Sequence, residues 1–213
     1  MVQILQRLNG SSDAELKEGQ SFRYTHHVEW ITTGSAIPST WKGDKTFEQF
    51  GVTFYIDLSK PKPPPPGGLI IYKGSFAATL SRSVAEFIIQ NQLVKDLIEW
   101  LSDTFVPDES LWTTVLFNKD VLKLPSLMDG KSCLAQVDKE KYAEQWISRY
   151  QLWPDSAVKC KGKWVHGSCV LGVKDLPHLR SAPQLFAHKF YLDFEPAAFF
   201  CMLQLIKNRT EGT

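Results

Sequence analysis

An α/β fold is predicted for this chain by three observations. Short runs of β-branched and aromatic residues alternate with segments of helical apolar period. Glycine and proline clusters punctuate the changes of period. The 213 residues are 43% hydrophobic and 12% aromatic, enough for a real core in one or two domains, with one the simpler expectation.

Val2, Leu5 and Leu8 share one side of an opening helix that Asn9-Gly10 ends. Ser11 to Gln20 is polar and loop-like. Phe22 to Ile31 reads as extended, Thr32 to Thr46 as a loop, and Val52 to Ile56 as a strand. Residues 60–68 hold four consecutive prolines followed by two glycines, a polyproline-like loop. Leu69 to Leu80 is extended. Ser83 to Glu86 reads as a capping box opening a long amphipathic helix, with Val84, Phe87, Ile88, Val94, Leu97, Ile98 and Leu101 on its apolar face. Asp103 to Val106 breaks that helix and Pro107 starts another. Lys119 to Asp138 is irregular, and Glu140 to Tyr150 is helical. Trp164 to Leu171 reads as one strand, Lys174 to Arg180 as a helical turn, and Phe194 to Lys207 as a terminal helix.

A formal net charge of +1 gives no electrostatic reason to bind nucleic acid or an anionic membrane. No stretch approaches the roughly 20 apolar residues of a membrane helix, and no signal-peptide pattern follows Met1. The usual glycine-rich phosphate loops are missing, as is a Gly-x-Ser-x-Gly elbow. The four cysteines, Cys133, Cys160, Cys169 and Cys201, form no CxxC pair, and no Cys/His cluster has zinc spacing. Cys160 and Cys169 can close a short disulfide loop. Asn9-Gly10-Ser11 and Asn208-Arg209-Thr210 are glycosylation sequons, which with an even cysteine count lean toward a lumenal or secreted setting.

The segment richest in chemistry is Pro107-Asp108-Glu109. Proline suits the first helical turn, and the helix dipole favours carboxylates there. It reads either as an acidic helix start or as a helix start that also holds a general base. Lys189, among apolar neighbours, reads either as a snorkelling surface lysine or as one aimed at a phosphate.

Four pieces in order carry a resemblance. They are Asn9 to Arg23; Lys73-Gly74-Ser75-Phe76 through Ser81-Arg82 to Asn91; Glu-Trp-x-x-Asp-Thr-x-x-Pro-Asp-Glu-x-Leu-Trp from Glu99; and Cys160 to Cys201. The last includes Val165-His166-Gly167-Ser168-Cys169 and Leu185-Phe186-Ala187-x-Lys189-Phe190. Together they resemble the core-2/I-branching β-1,6-N-acetylglucosaminyltransferase family, glycosyltransferase family 14, which also holds peptide O-xylosyltransferases.

The resemblance implies a GT-A-like fold in the Golgi lumen behind an N-terminal membrane anchor. It implies inverting transfer from a UDP-sugar, usually UDP-N-acetylglucosamine, to a 6-hydroxyl of an O-glycan on a glycoprotein. Xylose or glucose remain open as donor sugars. No metal and no cofactor are expected. In family terms Glu109 is the general base, and Lys189 and His166 bind the donor diphosphate, His166 standing where the family has arginine. Glu15, Arg23 and Tyr150 match acceptor-binding positions, with Trp153 beside Tyr150. Cys160 and Cys169 match a family disulfide, while Cys201 matches a cysteine that pairs far upstream. Residues 1–213 correspond to the C-terminal, acceptor-side and catalytic-base portion of one glycosyltransferase domain, with residues 60–68 as a loop inside it and the N-terminal nucleotide-binding strands outside it. The expected partners are the UDP-sugar and the glycan acceptor, with no nucleic acid, membrane contact only through the anchor, and a homodimer left open. The alternative is a truncated, non-catalytic paralogue acting as a lumenal binding or partner protein.

Overall fold

The computed structural model describes residues 9–31, 45–49, 52–137 and 146–212. The helices expected over residues 1–8 and, for the most part, over 140–150 lie outside them, as does most of the loop expected over 32–46. The described residues form two compact units, one within Ile4–Gln136 and one within Val137–Thr213. Helices and strands both run through the chain, as an α/β class requires.

In the first unit, β1 (Asp13–Ala14) pairs antiparallel with β5 (Ala78–Thr79), and the pairing resumes at Lys17 and Lys73. A three-stranded antiparallel sheet has the order β2 (His26–Ile31), β4 (Val52–Pro61), β3 (Lys45–Gln49). The strand expected at Val52 to Ile56 is present and runs on through Lys60 and Pro61, so the proline-rich loop begins later than the composition suggests. Pro61 tolerates this because it ends the strand, where a missing N–H costs least.

The long helix expected from Ser83 is two helices, α1 (Arg82–Gln90) and α2 (Gln92–Leu101). Ser83 lies inside α1, and the N-cap is Ser81, whose extended backbone lets its hydroxyl accept from the Val84 N–H at 3.3 Å. Asn91 ends α1 and caps α2, its side-chain carbonyl accepting from Val94 N–H at 3.1 Å. Val84, Val94, Leu97 and Leu101 are buried, as the apolar period predicts, whereas Ile98 is exposed. α3 (Asp108–Leu116) follows the Pro107 start. The stretch expected to be irregular after it holds two short helices, α4 (Lys119–Leu122) and α5 (Gly130–Ala135). Lys123 in the left-handed region stops the first, and Asp129 caps the second through the N–H groups of Lys131 and Ser132.

An extended run over 69–74 is docked on α3. Asn118 accepts from Ile70 N–H at 2.9 Å and donates to Ile70 O at 2.8 Å, Thr114 Oγ1 accepts from Tyr72 N–H at 3.1 Å, and Glu109 O accepts from Gly74 N–H at 2.7 Å. Buried backbone groups must be paired, and here two side chains and one backbone carbonyl of α3 and the residues past its end do the pairing.

In the second unit, β6 (Arg149–Tyr150) pairs parallel with β9 (Phe186–Ala187), so the helix expected to run to Tyr150 gives way to a strand there. Trp164 to Leu171, expected as one strand, is a hairpin of β7 (Lys163–Val165) and β8 (Ser168–Val170). Its two-residue turn is His166-Gly167, with φ of 50° and 71°, the pair of positive values a primed turn requires. A Cys160–Cys169 disulfide closes the segment leading into the hairpin. α6 (Leu176–Ser181) and α7 (Pro196–Glu211) complete the unit. Its core is Tyr150, Leu152, Cys169, Leu171 and Leu179. No helix among the described residues is long and apolar enough to cross a membrane.

Candidate functional site

Glu109 occupies the first turn of α3, directly after a corner in the chain. Val106 makes that corner with φ of 50°, a left-handed conformation rare for a β-branched residue and of the kind that gathers at functional sites. Two hydrogen bonds hold the corner: Glu109 N–H to Val106 O at 3.2 Å, and Phe105 N–H to Arg23 O at 2.8 Å.

Two cations meet one oxygen of the Glu109 carboxylate. Arg23 Nη2 lies 2.5 Å from Oε2, and Lys73 Nζ lies 3.7 Å from the same atom. Oε1 has no hydrogen-bond partner among the described residues. The Arg23 side chain is 7% exposed and Lys73 16%, against 29% for Glu109, so the carboxylate faces solvent while its counter-charges are sunk behind it. Burial lowers the pKa of both cations, and the neighbouring Glu109 opposes that shift. Arg23 also lies over the Phe105 ring, 4.8 Å from its centroid.

Glu15 joins this cluster. Its side chain pairs with Lys17 at 2.9 Å, and its backbone carbonyl accepts from Thr113 Oγ1 at 3.1 Å. Gly74 permits the approach of the three segments, since a Cβ there would sit 2.1 Å from Thr113 Oγ1 and 2.2 Å from Glu15 O. The arrangement suits proton abstraction: one carboxylate oxygen is clamped and the other is left for a substrate hydroxyl. Glu109, Arg23 and Glu15 are therefore brought together. Lys73 and Lys17 were missed as site residues, although Lys73 opens the Lys73-Gly74-Ser75 motif.

Lys189 and His166 both lie in the second unit. The Lys189 backbone bonds β8 through its N–H to Cys169 O at 3.4 Å and the residue after β8 through Leu171 N–H to Lys189 O at 2.8 Å, and its ammonium donates to Val165 O at 3.0 Å, one residue before His166. Tyr150 is 5% exposed in the core of the same unit, its hydroxyl has no hydrogen-bond partner among the described residues, and burial followed by the charge of Asp175 pushes its pKa up to about 12. Trp153 is exposed beside the hairpin, 4.0 Å from where a Gly167 Cβ would sit. Asn9 lies exposed in a turn, whereas Asn208 is within α7 and accepts from Gln204 Nε2 at 2.6 Å. Cys133 and Cys201 are free thiols, the latter exposed.

A family model described as Core-2/I-Branching enzyme matches residues 18–180. A Homo sapiens N-acetyllactosaminide beta-1,6-N-acetylglucosaminyl-transferase is 33% identical over 158 residues, covering 74% of this chain and 37% of the relative. A Sus scrofa relative, named as a probable beta-1,3-galactosyl-O-glycosyl-glycoprotein beta-1,6-N-acetylglucosaminyltransferase 7, is 33% identical over 148 residues, 70% of this chain and 32% of its own. Beta-1,3-galactosyl-O-glycosyl-glycoprotein beta-1,6-N-acetylglucosaminyltransferase 3 of Rattus norvegicus is 26% identical over 222 residues, 98% of this chain and 44% of its own. The chain thus spans less than half the length of these relatives.

Proposed function

The chain belongs to the core-2/I-branching enzyme family, and from that premise we propose that it carries the acceptor-side, catalytic-base portion of an inverting, metal-independent glycosyltransferase. The fold it contributes to is GT-A-like, with residues 1–213 as one portion of that domain, and its setting is the Golgi lumen. The Cys160–Cys169 disulfide supports an oxidising compartment. The donor is a UDP-sugar, with N-acetylglucosamine as the sugar its relatives' names indicate. The acceptor is the 6-hydroxyl of a glycan.

The observation that carries this reading is the clamped carboxylate. Arg23 and Lys73 hold Oε2 of Glu109, so Oε1 is the oxygen that takes the acceptor's hydroxyl proton. The freed oxygen bonds to the anomeric carbon from the face opposite the diphosphate. The bond from that carbon to the diphosphate oxygen breaks, and UDP leaves with the electron pair. Lys189 supplies positive charge to the leaving diphosphate, the task a divalent ion performs elsewhere.

The test is sugar transfer from UDP-N-acetylglucosamine to a core-1 O-glycan without added metal, with the chain and with the longest polypeptide its gene encodes. Glu109→Gln is expected to lower the rate by about 10²–10⁴-fold, the usual contribution of a general base. Transfer at the unchanged rate removes Glu109 from the mechanism. One observation favours a second reading, a lumenal glycan-binding protein without transfer. His166, at the tip of the hairpin, lacks the bidentate fork that an arginine would offer a phosphate. Binding of the acceptor glycan with no turnover in the same assay selects that reading.

A further inference from the structure

Lys189 is not alone at the hairpin. Lys163, the first residue of β7, places its ammonium 5.8 Å from the centre of the Tyr191 ring and 4.7 Å from that of Phe194. Lys189 Nζ lies 5.2 Å from the centre of the same Tyr191 ring. Two positive groups therefore gather on one aromatic side chain, whose electron-rich face attracts cations. An antiparallel bridge with Phe194 N–H to Tyr191 O at 3.1 Å holds the two rings in place.

Neither ammonium has a carboxylate partner within ion-pair distance among the described residues. Two acids of the unit, Glu195 and Asp175, are directed elsewhere. Glu195 Oε2 accepts from Val173 N–H at 2.7 Å. Asp175 accepts from Lys161 N–H at 2.8 Å and from Gly172 N–H at 2.9 Å. The fold thus places two ammonium groups on one ring, with no carboxylate within ion-pair distance of either among the described residues, and ties Glu195 and Asp175 to backbone donors. Lys189 uses one N–H on Val165 O, and an ammonium has two more to offer.

We propose that Lys163 and Lys189 form a two-lysine anion site that binds the diphosphate of the nucleotide-sugar, with Lys163 supplying the second positive charge that His166 does not. This rests on the glycosyltransferase reading and adds to it a diphosphate-binding residue. A diphosphate carries charge on both phosphoryl groups, so two point-charge donors match it without a bidentate fork.

The test is isothermal titration of the full chain with inorganic pyrophosphate and with UDP at pH 8, for the wild type, Lys163→Met, Lys163→Arg and Lys174→Met. Lys174 is an exposed lysine of the same unit and controls for loss of one charge. Lys163→Met is expected to weaken pyrophosphate about tenfold, the size of one charge-assisted hydrogen bond. Lys163→Arg should restore most of that, and Lys174→Met should change it by less than about twofold. Circular dichroism and non-reducing mapping of Cys160–Cys169 confirm that each variant is folded. If the wild type binds pyrophosphate and Lys163→Met binds it equally well, the proposal is overturned and the glycosyltransferase reading stands. A wild type that transfers sugar yet binds neither pyrophosphate nor UDP also overturns the site alone. Absence of both binding and transfer overturns the two together.

Discussion

Removing Glu109 should hurt the fold more than removing the arginine that pairs with it. Arg23 is 7% exposed, with its guanidinium 2.5 Å from Glu109 Oε2, and Lys73 at 16% exposure has, among the described residues, that carboxylate and Glu15 to offset its burial. With charge centres about 4 Å apart and an effective dielectric of about 20, each attraction is worth about 4 kcal/mol before desolvation is subtracted. Glu109→Leu leaves two sunken cations without that counter-charge. Removing one partner of a fully buried pair costs about 3–5 kcal/mol, and the 29% exposure of Glu109 brings this to about 2–3 kcal/mol. Arg23→Met leaves Glu109 with Lys73, keeps an apolar stem on Phe105, and relieves a buried Nε that has no acceptor among the described residues. Its cost should stay below about 1 kcal/mol. Urea unfolding at pH 7, followed by tryptophan fluorescence, measures both. A double-mutant cycle should return a coupling of about 2 kcal/mol. The reasoning is refuted if Arg23→Met costs as much as Glu109→Leu, or if the coupling falls below about 0.5 kcal/mol.

Two further outcomes follow from the same geometry. The folded pKa of Tyr150, about 12, lies above the ordinary value near 10, so the stability it represents is present below pH 10 and is lost as pH rises toward 12. Urea melts at pH 9 and 11 should show that loss, and Tyr150→Phe should remove it at little cost at pH 7 because the hydroxyl has no partner among the described residues. Gly74→Ala should destabilise the chain by about 1–3 kcal/mol and slow transfer, since the methyl would collide with Thr113 Oγ1 and Glu15 O beneath Glu109; unchanged activity and melting would exclude the close approach.

Where local chemistry decided a structure, the sequence was readable. Pro107 followed by two carboxylates marked the start of α3, and the apolar period marked the buried face of α2. Where a decision was non-local, it was not. Asn91 breaks a helix without glycine or proline, and the apolar period runs across it unchanged. His166-Gly167 folds back a run of strand-forming residues with a turn pair less obvious than Asn-Gly. Lys73 reaches Glu109 because its backbone bridges Lys17 and the following Gly74 bonds α3, contacts between segments far apart along the chain. Lys163 was passed over for a related reason: its meaning lies in sharing Tyr191 with Lys189, which no spacing reveals.

The extended run over residues 70–74 keeps step with helix α3 and the two residues just past its end. Residues 70, 72 and 74 meet positions 118, 114 and 109 in turn. Two residues of extended chain advance about 6.6 Å. Four to five residues of helix advance about 6.0–7.5 Å. The two periodicities are nearly commensurate, so the run works as a ruler laid along the helix, with Glu109 at its last graduation. Lengthening the run by a single residue would leave at most part of the scale aligned. Tolerance of insertions should therefore fall to a minimum between Ile70 and Gly74.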